Sequence, residues 1–163
     1  MINSTRILIA DDTEPILLYL EKILSNVNEF EIVGKAKNGK ELLDLILDKK
    51  PDLVITDVDM PEFSGVQVAE KTSKLGIPLK YIFITGNSEC IMDSKLKSLS
   101  VDRVIKKPIM DDEKFIEQIK LSLKLRKHLE EIVIGQENKE KVLKNTKKES
   151  NIVKLFKKIF TSK

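Results

Sequence analysis

The amino-acid sequence predicts an α/β fold with a five-stranded, doubly wound parallel sheet. Short apolar runs alternate five times with segments whose apolar residues recur at helical spacing. Polar or turn-forming residues separate these segments. The strict alternation favours parallel strands, because parallel neighbours are joined by right-handed helical crossovers.

The first two strand–helix units occupy the amino-terminal part of the chain. Residues 6–10 form an apolar run, and Asp12-Thr13-Glu14-Pro15 is typical of a helix start. Residues 16–27 carry one apolar stripe that a helix can bury on a sheet. Residues 30–34 alternate like a half-buried strand, and Asn38-Gly39 leads into the second helix.

The third and fourth units follow the same order. Residues 53–56 are apolar up to Thr56, which suits a central strand covered on both faces, and Ser64-Gly65 starts the third helix. Residues 81–85 predict the fourth strand. The fourth helix is predicted over residues 88–99, where sparse apolar positions are typical of a movable element.

The fifth unit consists of a weaker strand over residues 101–105 and a helix that begins near the acidic residues 111–113. The folded body is therefore expected to end near residue 127. This predicts two parts: a domain over residues 5–127, and a basic linker with an amphipathic terminal helix over residues 128–163.

Composition limits the class of protein. A chain of 163 residues, 41% hydrophobic and 34% charged, suits one soluble domain with an appendage. No apolar run approaches the roughly 20 residues that span a bilayer, so we expect a cytoplasmic protein. The single cysteine, Cys90, excludes an internal disulfide and a thiolate metal cluster. Residues 139–163 contain nine Lys and two Glu, whereas the rest of the chain carries a net charge of −4.

Polar side chains stand at the carboxyl ends of four predicted strands. Asp11 and Asp12 follow the first strand, Asp57 the third, Thr85 ends the fourth and Lys107 follows the fifth. Each residue alone is typical of a helix cap or a turn. In an open parallel sheet, however, these ends meet at one edge, where ligands bind. Three carboxylates repel one another unless a cation neutralises them, and oxygen ligands favour a hard ion such as Mg²⁺.

This combination suits phosphoryl transfer. A divalent cation, the Lys107 ammonium and the Thr85 hydroxyl can together hold the three equatorial oxygens of a phosphoryl group. A carboxylate can then attack the phosphorus, and we assign Asp57 as this nucleophile.

The same segments resemble the receiver domain of two-component response regulators, including single-domain receivers of the chemotaxis type. The resemblance rests on Asp11-Asp12, residues 56–61, Ser64-Gly65, Thr85-Gly86 and Lys107-Pro108, and it covers residues 5–127. It implies a flavodoxin-like fold and a phosphorylation-dependent signalling switch. Such a protein catalyses its own phosphotransfer and autodephosphorylation and is no conventional turnover enzyme.

The resemblance also implies roles for the acidic residues. Asp57 would accept a phosphoryl group from a phosphohistidine on a sensor histidine kinase or a phosphotransfer protein. Asp12 would bind Mg²⁺ directly, Asp11 would hold a metal-bound water, and the Asp59 backbone carbonyl would join Asp57 among the metal ligands. The Asp59 carboxylate could either position water or repel the phosphoryl group.

The remaining family positions are partly matched. Lys107 would pair with the phosphoryl group, Thr85 would swing to bond it, and the Lys107–Pro108 bond would be cis. Val104 stands where many receivers carry the Tyr or Phe that rotates inward, so an aromatic readout is not expected here. Asn87 stands at a position that influences the attack of water on the acyl phosphate.

Two alternatives stay open at this stage. Asp57-Val58-Asp59 also matches the Asp-x-Asp of haloacid-dehalogenase-type phosphatases, but in those proteins the nucleophile follows the first strand. The second alternative is an adaptor or localisation module whose basic tail binds a partner or a membrane surface with little phosphate-dependent output.

The tail itself allows several interpretations. Residues 152–160 place apolar side chains on one helical face and lysines on the other, which suits packing on the domain, a membrane surface or a partner protein. Nucleic-acid binding is disfavoured, because the segment has no Arg and is too short for a helix-turn-helix unit. His128 is expected to be a solvated side chain. An unknown downstream protein and a phosphorylation-dependent homodimer are the other expected partners.

Overall fold

The computed structural model describes residues 4–86 and 101–124. The chain forms two compact units, Met1–Ile119 and Lys120–Lys163. Within the described residues of the first unit, five parallel strands form one sheet in the order β2-β1-β3-β4-β5. This order is the flavodoxin-like arrangement, so the predicted fold class is confirmed. The strands are β1 (Thr5–Ala10), β2 (Phe30–Ala36), β3 (Leu53–Asp57), β4 (Lys80–Thr85) and β5 (Val101–Lys106).

Four helices accompany the strands in the described part of the chain. They are α1 (Glu14–Ser25), α2 (Gly39–Lys49), α3 (Gly65–Lys74) and α4 over residues 112–124, which corresponds to the fifth helix predicted from the sequence. None of the helices in the described ranges is long and apolar enough to cross a bilayer.

Several predictions fall outside the described residues. They concern the helix over 88–99 with Asn87 and Cys90, the domain boundary near residue 127, and the tail with His128. These stay predictions.

Each helix begins where its sequence provides a start signal. Asn38 accepts a hydrogen bond from the Glu41 N–H at 2.8 Å, and Ser64 forms a reciprocal capping box with Gln67. Pro15 lies in the first turn of α1, where a missing N–H costs nothing. These local signals explain why the predicted and observed helix starts agree.

Strand β3 is the centre of the core. All five of its residues are buried, as a strand covered on both faces requires. The strand runs one residue further than predicted, because Asp57 pairs with Ile84 of β4. Asp57 is therefore fixed by the strand ladder and does not lie in the loop that follows. The chain places β2 on one side of β1 and then crosses over to place β3 on the other side. This change of direction leaves a crevice between the carboxyl ends of β1 and β3.

Candidate functional site

The crevice between β1 and β3 brings the predicted acidic residues together. Ala10 pairs with Thr56, so Asp11 and Asp57, the next residues on neighbouring strands, lie side by side. Carboxylate oxygens of Asp11, Asp12 and Asp57 all lie within 4.8 Å of one another. Asp11 is fully buried and Asp57 is 8% exposed, whereas Asp12 lies at the exposed rim.

The environment of Asp57 disfavours its charged form. Burial raises the pKa of the Asp57 carboxyl, and the neighbouring charge of Asp11 adds to this rise. Lys107 and the Asp59 N–H, which lies 3.3 Å from Asp57 Oδ1, act in the opposite direction but do not cancel it. The pocket therefore holds more negative charge than the protein alone neutralises well.

Lys107 is the ammonium group of the site. Its Nζ donates to Asp11 Oδ2 at 2.6 Å and to Asp57 Oδ2 at 2.5 Å, so it bridges the two buried carboxylates. Burial lowers the pKa of Lys107, but the hydrogen bonds with Asp11 and Asp57 outweigh this and the net pKa is raised. Lys107 thus stays protonated at neutral pH.

Thr85 ends β4 beside these groups. It is fully buried and follows Ile84, the partner of Asp57 in the sheet. Its backbone carbonyl accepts a hydrogen bond from the Lys107 N–H at 2.8 Å, which ties the ends of β4 and β5 together. The Lys107–Pro108 bond is cis, as the resemblance implied. The structure thus places Thr85 and Lys107 at the same sheet edge as the acids.

The loop after Asp57 is held close to the strand end. The Gly65 N–H donates to the Val58 carbonyl at 2.9 Å, and a Cβ at Gly65 would lie 2.2 Å from the Asp57 carbonyl oxygen. Only glycine fits such a close approach without a backbone shift. The sequence indicated a helix start at Gly65, and the structure shows that Gly65 also lets the loop return close to the backbone of Asp57.

A second glycine fixes the same loop from outside. The Gly39 N–H donates to the Pro61 carbonyl at 3.2 Å, and a Cβ at Gly39 would lie 1.9 Å from the Phe63 carbonyl oxygen. Lys71 Nζ lies 4.4 Å from the centre of the Phe63 ring. Sequence reasoning missed this function of Gly39, because the contact joins segments that are far apart in the chain.

Thr13 is the other contact that sequence reasoning missed. Its N–H donates to Asp11 Oδ1 at 3.0 Å, and its hydroxyl donates to the same oxygen. The sequence indicated only a helix start here, and indeed Thr13 is the residue that precedes α1. A hydroxyl two residues after a strand-end carboxylate is the one signal that could have indicated this bond.

The donor set fits a hard divalent cation. Lys107 pairs with the carboxylates of Asp11 and Asp57, and the Asp12 carboxylate lies within 4.8 Å of them, so the three acids and one ammonium leave a formal excess of two negative charges. All the candidate ligands are oxygens. The carboxylate of Asp59, also predicted as a metal-site residue, is exposed and outside this three-acid group of the described residues. The resemblance assigns the metal to the Asp59 backbone carbonyl instead. Val104 pairs with Phe83 and packs against the core as an aliphatic side chain.

Comparison with known proteins identifies the family to which this fold belongs. Residues 7–120 match the family model of the response regulator receiver domain. The chain belongs to this family. Its described part is accordingly a receiver domain of a two-component response regulator, as the sequence predicted.

Curated relatives share part of their length with this chain. The virulence-factor transcription regulator BvgA of Bordetella pertussis is 33% identical over 81 residues, which are 50% of this chain and 38% of BvgA. The uncharacterized transcriptional regulatory protein YvfU of Bacillus subtilis is 39% identical over 80 residues, which are 49% of this chain and 40% of YvfU. The chain thus spans about two fifths of these relatives.

Solved receiver structures are covered almost completely. A CheY-like receiver domain protein from Methanospirillum hungatei is 28% identical with a TM-score of 0.69, and the match covers 77% of this chain and 98% of that chain. A LuxR-family DNA-binding response regulator from Staphylococcus aureus is 25% identical with a TM-score of 0.66, covering 72% and 98%.

Proposed function

We propose that this receiver accepts a phosphoryl group on Asp57 from a phosphohistidine of a sensor histidine kinase or a phosphotransfer protein. The observation that carries the proposal is the Lys107 ammonium, which bridges Asp57 and Asp11 beside a third carboxylate. A site built for stability alone would pair its charges one to one, because uncompensated buried charge is costly.

The acidic group is suited to Mg²⁺. Asp12 and Asp57 would be direct ligands with the Asp59 backbone carbonyl, and Asp11 would hold a metal-bound water. When bound, the cation would offset the excess negative charge and attract the oxygens of the incoming phosphoryl group. The residues present fit this assignment, since every donor is an oxygen.

The side chains then have separate tasks. A carboxylate oxygen of Asp57 attacks the phosphorus, the bond from phosphorus to the histidine nitrogen breaks, and the electron pair of that bond returns to the imidazole. Lys107 already lies at the Asp57 carboxylate and would follow the charge onto the phosphoryl oxygens. The Thr85 hydroxyl would donate to another of these oxygens.

The change at the site would be relayed through the strand ends. Thr85 and Lys107 are joined by a backbone hydrogen bond, so a shift of Thr85 toward the phosphoryl group would move the ends of β4 and β5 together. Val104 stands where many receivers carry an aromatic residue, so the relay would not use an aromatic side chain at this position. Asp59 and Asn87 would set how fast water removes the phosphoryl group.

The output is proposed at the level of partner class. BvgA and YvfU are transcription regulators by name, and only about two fifths of each is matched. We propose that phosphorylation changes the affinity of the receiver for a downstream protein or for a second copy of itself. The boundary at residue 127 and a separate role for residues 128–163 belong to the same proposal.

The direct test is phosphorylation by phosphoramidate in the presence of Mg²⁺, followed by intact-protein mass spectrometry. The wild-type protein should gain one phosphoryl group, and Asp57→Asn should gain none. Asp52→Asn is the matched control, because Asp52 lies before β3 at the opposite sheet edge, where it accepts the Arg6 N–H at 2.8 Å. An adduct that persists in Asp57→Asn, or forms equally well with EDTA, would contradict the proposal.

A further inference from the structure

We infer that Thr13 is a positioning residue of the metal site, acting through the carboxylate of Asp11. This inference rests on the proposed function and adds a residue to it. Thr13 lies two residues after Asp11, between β1 and α1, and although it is exposed, both its N–H and its hydroxyl donate to Asp11 Oδ1.

The direction of the Thr13 hydroxyl is the first argument. A Thr at this position commonly accepts a hydrogen bond from an N–H of the first helical turn. At the other described helix starts, Asn38, Ser64 and Asp111 each accept such a bond, at 2.8, 3.2 and 2.9 Å. The Thr13 side chain makes no cap bond. Its hydroxyl serves the carboxylate and not the helix.

The second argument is the way in which the two oxygens of Asp11 are used. Oδ1 accepts both hydrogen bonds from Thr13, while Oδ2 accepts from Lys107 Nζ at 2.6 Å. A carboxylate held at both oxygens cannot rotate about its Cβ–Cγ bond without breaking one set of bonds. Asp11 is therefore fixed in orientation in a fully buried position.

Fixing Asp11 matters because Asp11 and Asp57 share the same ammonium. If Asp11 rotated, Lys107 would lose one of its two partners and the spacing of the acidic group would change. Charged hydrogen bonds are strong enough to hold such an arrangement. Groups that orient a metal-site carboxylate in this way typically change metal affinity by 10- to 100-fold when they are removed.

The experiment compares Thr13→Val, which removes the hydroxyl at nearly constant shape, with Thr13→Ser, which retains it. The Mg²⁺ dissociation constant of the unphosphorylated full chain is measured by competition with Mn²⁺, followed by electron paramagnetic resonance. We expect Thr13→Val to bind Mg²⁺ about tenfold more weakly and Thr13→Ser to keep the wild-type affinity.

Circular dichroism and urea unfolding verify that each variant is folded, and Thr13→Ala serves as a second protein without the hydroxyl. Wild-type affinity in both Thr13→Val and Thr13→Ala would overturn the inference and leave the proposed function intact. So would an equal loss in Thr13→Ser, since the hydroxyl would then not be the cause. A wild-type chain that binds no Mg²⁺ would overturn the inference and the proposed function together.

Discussion

The charged side chains at the carboxyl ends of the strands are arranged differently from those at the amino ends. These two sides of the sheet are called the carboxyl edge and the amino edge. At the carboxyl edge, the ammonium of Lys107 bridges the carboxylates of Asp11 and Asp57, and the Asp12 carboxylate lies within 4.8 Å of both acids. At the amino edge, Lys80 and Asp102, at the starts of β4 and β5, form a one-to-one ion pair at 2.7 Å.

This difference in arrangement distinguishes charges that stabilise the sheet from charges that are suited to binding a ligand. A one-to-one pair at the start of two strands helps to hold the sheet together, and nothing more is required of it. Three acids gathered beside one lysine destabilise the protein by mutual repulsion, which a bound cation would relieve. The excess charge at the carboxyl edge therefore supports the proposal that ligands bind there.

The largest expected effect is the loss of stability on replacing Gly65, at the carboxyl edge, compared with replacing Gly76, at the amino edge. Gly65→Ala would place a Cβ 2.2 Å from the Asp57 carbonyl oxygen, and we expect a loss of about 3 kcal/mol in the free energy of unfolding. Gly76, which follows α3 and precedes β4, has φ +68° with nothing within 4 Å of an added Cβ. Gly76→Ala should therefore cost only about 1 kcal/mol, for backbone conformation alone. Urea unfolding measures both, and equal losses would contradict the close approach at Gly65.

Mg²⁺ should stabilise the carboxyl edge. At a concentration about 100 times its dissociation constant, the free energy of unfolding should rise by about 2.7 kcal/mol, because the cation binds the folded state. EDTA should reverse the rise. Asp12→Asn should reduce the effect, and Asp52→Asn at the amino edge should retain it in full. No dependence on Mg²⁺ in thermal or urea unfolding would argue against a metal at this edge.

Alkaline pH should destabilise the protein through ionisation of Tyr81, which lies at the amino edge. Tyr81, near the start of β4, is buried and its hydroxyl lies 2.8 Å from Thr72 Oγ1. Burial raises the pKa of Tyr81 to about 12, above its ordinary value of about 10. The unfolded chain loses this proton first, so the contribution of Tyr81 is complete below about pH 10 and is lost as the pH rises to about 12.

Tyr81→Phe tests this effect. Between about pH 9 and about pH 11.5, the wild-type protein should lose about 2 kcal/mol more stability than Tyr81→Phe does. Lysine titration affects both proteins equally and cancels in the comparison. Parallel pH profiles from urea unfolding would show that Tyr81 does not titrate in this way.

The smallest expected effect is a difference of sign. In EDTA, Asp12→Asn should raise the free energy of unfolding by a few tenths of a kcal/mol, roughly the scale of exposed charge interactions, because it relieves repulsion among the three acids at a solvent-screened position. Asp102→Asn should lower it by about 1 kcal/mol, because Lys80 loses its partner while both side chains are largely buried. If the two substitutions changed stability in the same direction, the contrast between the edges would fail.

Much of the architecture could be predicted from sequence patterns. Apolar periodicity located all five strands, because burial of one face or of a whole strand depends on the local sequence, and capping residues and Pro15 located the starts of the four described helices. The polar residues at the strand ends indicated one shared edge, since parallel strands carry all their carboxyl ends to the same side. This reasoning predicted that Asp57, Thr85 and Lys107 lie at one edge of the sheet, which is where the structure places them.

The rest depended on which segments meet in three dimensions. Three features join residues that are distant in the chain. They are the strand order β2-β1-β3-β4-β5, the bridge of Lys107 between Asp11 and Asp57, and the contact of Gly39 with the loop after β3. Thr13 shows the same limit at short range, because a helix-start residue has a hydroxyl that can serve either the helix or a neighbouring carboxylate. Local pattern determined what each residue could do, and only the packed strand ends decided which partner it had.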